Sequence, residues 1–417
     1  MAIGILLDFN MKTYMKKYLL VLGLVFAITG CDNWVQDIEK PINVITEEDL
    51  TTEAQIPFLV SGVKARFSST YDQLTFLSGA LSDELIFDTR VPNATFPTFD
   101  QLNKGDVLLD NNSVTGGMLS LGELLYFSDN LAERVGKITF KTEATKNDAL
   151  YNANLYGAIA RYFWGAYFGL NPEQGGGVIN AGPFIASNQM YDDAVTKLKT
   201  ALTFVQTKPY ETKLVNSVIA KILFAKGDYA AAKAHAQAGL KKGDNPMLAL
   251  YATTAANAWY NNAGIGRAQL VADPRYATYA AETGEATRVP LTKLGTTFVY
   301  YRQEKFPARE SSIPFITWQE NNLMLAEVAV REGDGATALS LVNEVRTTGR
   351  TIPALAENPK LDTILVEREK ELFCQGVRLI DQRRTGKWHL GNTPAGTPTW
   401  QYMPITERER NANPNLK

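Results

Sequence analysis

Two cysteines and two histidines among 417 residues exclude several classes of protein at once. A disulfide framework needs more thiols than Cys31 and Cys374 supply. His235 and His389 stand far apart and neither belongs to a ligand-spaced cluster, so the sequence predicts no metal site. An excess of charge of one sign is also missing. With 42 basic residues against 44 acidic ones, nothing points to a nucleic-acid partner. No apolar run reaches the roughly 20 residues that span a bilayer. Phosphate-binding loops are absent too. Gly175, Gly176 and Gly177 are not followed by Gly-Lys-Ser/Thr, and Gly264-Ile265-Gly266 lacks a third glycine and a preceding strand. No cofactor is expected.

What is present starts with one short apolar run. Lys16 and Lys17 precede an apolar stretch over residues 18–28, and Ile28-Thr29-Gly30 leads into Cys31. A positive start, a short apolar core and small residues before the cut describe a secretory signal peptide. A cysteine at the cut, behind small residues, is the pattern of a bacterial lipoprotein. Residues 1–30 are therefore expected to be the signal peptide, with Cys31 the lipidation site and residues 31–46 a polar tether. Acyl chains, at about 0.8 kcal/mol per buried CH₂, hold a protein on a membrane without any spanning helix. Residues 1–10 fit no signal pattern, which places the expected start at Met11 or Met15. With Cys31 lipidated, Cys374 has no intrachain partner, and Leu372 and Phe373 beside it predict a buried, inert thiol.

Residues 47–417 are expected to form a single domain dominated by helical periodicity. Leu155, Ile159, Tyr162, Phe163 and Ala166 share one helix face, and Val215, Val218, Ile219, Ile222 and Leu223 share another. The second helix stops at Gly227-Asp228 and an alanine-rich helix follows. Glycine ends one helix and aspartate caps the next, so the dipeptide closes a tight hairpin. The device returns at Gly333-Asp334. Helix pairs near residues 212–242 and 318–348 thus resemble tetratricopeptide units, but 106 residues separate the two dipeptides, which argues against a contiguous solenoid. Two segments, near residues 85–110 and 243–313, mix Gly, Pro, Asn and aromatics without period. Long irregular segments in a helical protein are often functional.

The C-terminal third carries a resemblance. Ile313-Pro314-Phe315 precedes a helix with Glu320, Leu323, Ala326 and Glu327, then Gly333-Asp334, Asn343 and Val345-Arg346. Glu367-Arg368, Glu371-Leu372, Gly376, Arg378, Asp381 and Arg383-Arg384 follow, and Pro404-Ile405 through Asn413-Pro414-Asn415-Leu416 close the chain. Upstream stand Ser82-Asp83-Glu84, Ala160-Arg161-Tyr162 and Phe168-Gly169. In this order the set resembles the SusD/RagB outer-membrane lipoproteins of Bacteroidetes, and the acidic Asp37 and Glu39 resemble the surface-export signal of such lipoproteins. Gln375 replaces a usual acid, and a longer glycine-rich loop follows Gly169. The resemblance implies a mainly α, SusD-like fold with tetratricopeptide-like pairs, loop-rich ligand-binding segments and little β. It also implies an outward-facing, lipid-anchored place in the outer membrane, and a SusC-like TonB-dependent barrel as partner. The ligand it implies is an oligosaccharide or, in RagB-like branches, a peptide.

The residues themselves suggest a binding surface rather than catalysis. Flat rings stack on apolar sugar faces while Arg and Asn donate to hydroxyls. Trp259, Tyr260, Arg275 and Tyr276 in one irregular segment, and Arg90, Asn93 and Phe96 in the other, are the expected ligand contacts. No catalytic residue is expected. A glycosidase needs two facing carboxyls, whereas Asp83-Glu84 and Asp192-Asp193 are adjacent pairs whose side chains diverge, with Asp83 expected as a turn or cap. The charged set from Glu367 to Arg384 reads as ion pairs that dock the last helices. A surface hydrolase and a helical adaptor lipoprotein remain the alternatives.

Overall fold

Glycine followed by aspartate closes both helical hairpins in the way the sequence requires. Gly227 and Gly333 take φ of +86° and +80°, a left-handed conformation in which a side chain would be strained. Asp228 and Asp334 accept from Ala231 N and Thr337 N at 3.1 and 3.0 Å, capping the helices that follow. The computed structural model describes residues 50–388 and 399–416. The segments expected as signal peptide and tether, with Cys31, and His389 lie outside the described residues.

Residues 51–417 form one unit. Its first half contains helices α1 (Ile56–Leu81), α2 (Pro97–Lys104), α3 (Asn112–Val135), α4 (Glu143–Tyr167), α5 (Ser187–Thr203), α6 (Pro209–Lys226) and α7 (Tyr229–Gln237). Its second half contains α8 (Ala258–Ala263), α9 (Pro274–Ala280), α10 (Trp318–Arg331), α11 (Gly335–Thr347), α12 (Leu361–Glu371), α13 (Arg378–Thr385) and α14 (Glu407–Ala412). The strands are short: β1 (Leu85–Ile86), β2 (Phe168–Gly169), β3 (Gly176–Gly177), β4 (Ile185–Ala186), β5 (Met247–Ala249), β6 (Val271–Ala272), β7 (Leu291–Leu294), β8 (Tyr300–Gln303), β9 (Ile313–Ile316) and β10 (Met403–Pro404). The fold is mainly α with little β, as expected.

Helices α3 to α7 pack each on the next, and α10 then packs on α7 and α6 while holding α11 and α12. The two Gly-Asp hairpins are therefore neighbours in space despite their separation in sequence. Their contact is polar as well as apolar. Ser217 Oγ donates to Asn321 Oδ1 at 2.9 Å, and Asn321 Nδ2 donates to Ala236 O at 2.8 Å. Lys221 meets Glu320 at 2.8 Å with both side chains buried. The insertion over residues 243–313 leaves this row and returns to it through β9, which pairs antiparallel with β5. Phe315 of β9 sits edge-on to Phe67, Tyr71 and Phe163 at centroid distances of 5.6, 5.4 and 5.8 Å, the aromatic centre of the core. Tyr71 Oη donates to Pro314 O at 2.8 Å, which fixes the strand on α1.

The charged cluster of the last helices is structural. Arg368 meets Asp381 at 2.8 Å, Arg384 meets both Glu327 and Asp381, and Arg350 meets Glu371 at 2.6 Å. Burial alone would raise the Asp381 carboxyl, but Arg368 and Arg384 hold it down at about 2. Asp83 is buried, accepts from Arg378 at 2.6 Å and pairs with Arg275 at 3.2 Å, so it ties the end of α1 to α13 and α9. Cys374 is fully buried, as its apolar neighbours predicted.

Candidate ligand-binding surface

The two irregular segments meet. β1 of the first pairs antiparallel with β6 of the second, and the sheet continues in the order β1-β6-β8-β7. Above it lies a small apolar cluster of its own: Ile86, Val91 and Ala94 from the first segment pack with Ala268 and Val271 from the second, and Phe87, Phe298 and Tyr300 flank them. Polar contacts bind the same seam. Thr95 N donates to Gln269 Oε1 at 3.0 Å, and Arg267 donates to Thr95 Oγ1 at 2.8 Å. The second segment looked irregular in sequence because its strands run two to four residues, too short for a visible period.

Arginines lie over rings along this seam. Arg90 sits 3.8 Å from the centre of the Phe298 ring, Arg267 sits 4.9 Å from Phe96, and Arg309 sits 5.6 Å from Tyr260. Phe96 is 40% exposed, and Tyr260 and Phe298 are half-buried. Asn93 is exposed between Arg90 and Phe96. A cleft of about 310 Å³ adjoins the strip, lined in part by Phe99, Asn261, Asn262, Ser69, Gln73 and Asp72. The Phe96 and Phe99 rings are 5.5 Å apart, which joins strip and cleft. Exposed rings beside amides and guanidinium groups suit a ligand with flat apolar faces and many oxygen atoms.

Of the seven expected contact residues, the structure brings Arg90, Asn93, Phe96 and Tyr260 to this surface and withdraws three. Trp259 is fully buried. Its Nε1 donates to Thr75 Oγ1 at 3.0 Å, and its ring stands edge-on to Phe76 at 5.8 Å. Position 259 lies in the first turn of α8, on the side that faces α1, so the ring completes the core while Tyr260 turns outward. Tyr276 is also fully buried, 4.4 Å from Phe373. Arg275 is held by Glu369 at 2.6 Å and Asp83 at 3.2 Å, which fixes it as an ion-pair member. Neither buried ring offers a free face, and the Arg275 guanidinium is already committed. Sequence reasoning did not single out Arg309, Phe298 or Tyr300. The aromatic pair Tyr300-Tyr301 after the Gly295 turn was the available signal.

The cleft contains one carboxyl with a displaced proton affinity. Burial pushes Asp72 up to about 7, against the pull of the Ala258 and Gln73 N–H groups that its two oxygens accept. Glu84 is raised further, to about 8, by complete burial, against the pull of the Cys374 N–H and the Lys305 charge. Glu84 does not line the cleft, and among the described residues Asp72 is the cleft's single carboxyl. The facing acid pair that glycoside hydrolysis requires is not assembled there. No group of metal ligands occurs among the described residues.

Helical hairpins stacked in a row, carrying a small sheet whose loops form a ring-lined surface, define the architecture. No family model matches the chain, and no curated protein does. Solved structures do match. A SusD superfamily protein from Bacteroides thetaiotaomicron aligns with a TM-score of 0.72 at 16% identity, over 87% of this chain and 98% of the other. A SusD-like carbohydrate binding protein from Bacteroides vulgatus gives 0.70 at 15%, over 88% and 97%. Surface glycan-binding protein A from Bacteroides thetaiotaomicron, in complex with laminarihexaose, gives 0.64 at 15%, over 88% and 99%. The chain has the SusD fold that its motifs implied.

Proposed function

We propose that this chain is a non-catalytic surface protein that captures an oligosaccharide and passes it to a SusC-like TonB-dependent barrel. The observation that carries the reading is the seam itself. Two segments far apart in sequence are joined by their own sheet and apolar cluster to present Phe96, Tyr260 and Phe298 with arginines and amides. A fold shared with glycan-binding proteins, one of them bound to laminarihexaose, supports it. Isothermal titration against a panel of oligosaccharides is the test. Phe96→Ala and Tyr260→Ala should each weaken binding about tenfold, the ordinary cost of a moderately important contact of ~1.4 kcal/mol. Melting temperatures should barely move, since both rings are partly exposed. Binding of peptides but not of oligosaccharides would replace this reading with a RagB-like one, and mass spectrometry showing ligand cleavage would replace it with a hydrolase.

The outer membrane is the proposed location, with lipid on Cys31 as the anchor. No helix among the described residues is long and apolar enough to cross a membrane. Cys31→Ala should release the chain into the soluble fraction. Retention of that variant on membranes stripped of the barrel partner would refute the assignment.

A further inference from the structure

The arginine strip says more about the ligand than that it is a sugar. Each of the three rings has a guanidinium over it, so a pyranose approaching from that side meets Arg before it meets the aromatic face. Arg90 is neutralised by Asp88 at 2.5 Å. Arg267 and Arg309 form no ion pair among the described residues, and both are exposed. Glu310 beside Arg309 is exposed and likewise makes no ion pair among the described residues. The ring of Tyr260 also packs on the Gly266 backbone: a Cβ built there would fall 2.7 Å from the ring. Arg309, Tyr260, residues 266–267 and Phe96 thus form one continuous path along the surface.

The nearest carboxyl in the adjoining cleft does not offset this charge. Asp72 is 4% exposed, and each of its oxygens accepts a backbone N–H at 2.7 Å. Arg275, Arg288, Arg346, Arg350, Arg378 and Arg384 all meet Asp or Glu. The exposed Arg267 and Arg309 of the ring-lined strip meet neither among the described residues. A planar guanidinium presents paired N–H donors whose spacing fits a carboxylate or a sulfate, and such charge-assisted bonds are stronger than those to neutral hydroxyls.

We propose that this surface takes an acidic oligosaccharide, one whose sugar rings bear carboxylate or sulfate groups that bind Arg267 and Arg309. The inference rests on the capture reading above and is tested apart from it. Titration of the purified full-length protein would compare tetragalacturonate, a chondroitin sulfate tetrasaccharide and neutral laminarihexaose at low and high salt. At least one acidic oligosaccharide should bind about tenfold or more tightly than the neutral one at low salt, with the advantage shrinking as salt screens the charges. Binding of only the uronate, or only the sulfated sugar, names the acidic group and supports the proposal equally. Arg267→Gln and Arg309→Gln should each cost the acidic ligand about tenfold and cost the neutral ligand less, so that the preference for the acidic one shrinks. Arg309→Lys should retain the salt dependence. Equal affinity for neutral and acidic sugars, or acidic binding untouched by the double Gln variant, overturns the proposal while the capture reading stands. If no oligosaccharide of either kind binds, the capture reading itself falls, and this proposal with it.

Discussion

Replacing Arg288 with methionine is expected to destabilise the fold by about 3–5 kcal/mol, the usual cost of removing one partner from a buried ion pair. Arg288 is fully buried beneath α12 and holds Glu285 at 2.5 Å and Glu367 at 2.7 Å. Glu367 is shared with Arg346, and Glu285 with Lys370 at 3.4 Å, so the network links the segment before β7 to α11 and α12. Burial works against the Glu285 carboxylate, yet Arg288, Lys370 and Arg346 hold it below its ordinary range. A carboxylate held low contributes stability that is present above the unfolded value of about 4.3 and is lost as pH falls through the folded one. Urea unfolding at several pH values should therefore show wild-type stability declining below about pH 4. Arg288→Met should be weaker at neutral pH and should show a smaller further loss in acid. Affinity per folded molecule should be unchanged, because the network lies in the core. A variant as stable as wild type at neutral pH would show that the cluster does not hold these helices together.

The sequence revealed helices more readily than it revealed neighbours in space. The apolar stripes of α4 and α6 and both Gly-Asp turns were legible because helix signals are local: a period, a left-handed glycine, a capping aspartate. The contact of Asn321 with α7 was not legible, since nothing in the residues near Ala236 announces a partner 85 positions away. The same limit shaped the site. Residues 85–110 and 243–313 stood out correctly as departures from helical period, and their aromatics and arginines were visible. Their junction through β1 and β6 was not, because paired strands of two residues carry no pattern. Within the segments, composition could not tell an outward ring from an inward one. Asn257, Asn261 and Asn262 stand around Trp259 in the irregular segment, but Asn257 is itself fully buried and donates from Nδ2 to Ala308 O and Arg309 O at 3.0 Å each. It also caps α8 by accepting from Tyr260 N at 2.8 Å. An amide that binds backbone marks a fixed turn as readily as it marks a ligand site.

Trp259→Ala should accordingly act on the fold, and by a large amount. The indole is fully enclosed between α1 and the β8 side of the insertion, with Phe76 edge-on at 5.8 Å and Phe306 at 6.4 Å. Its fit against α1 is close: a Cβ built on Gly79 would lie 3.1 Å from the ring, so that glycine makes room for the tryptophan. Truncation leaves a cavity and removes the donor to Thr75 Oγ1, and buried Trp-to-Ala changes cost about 3–5 kcal/mol. Trp259→Phe keeps most of the volume and should lose less, chiefly the hydrogen bond, at about 1 kcal/mol or somewhat more with repacking. Tyr260→Ala, one residue on, should show the opposite pattern, with weaker ligand binding and little change in melting. Thermal unfolding followed by titration of the folded fraction separates the two. A melting temperature for Trp259→Ala within a degree or so of wild type, together with lost affinity, would return the indole to the ligand site and displace the strip of Phe96, Tyr260 and Phe298 as the surface that binds.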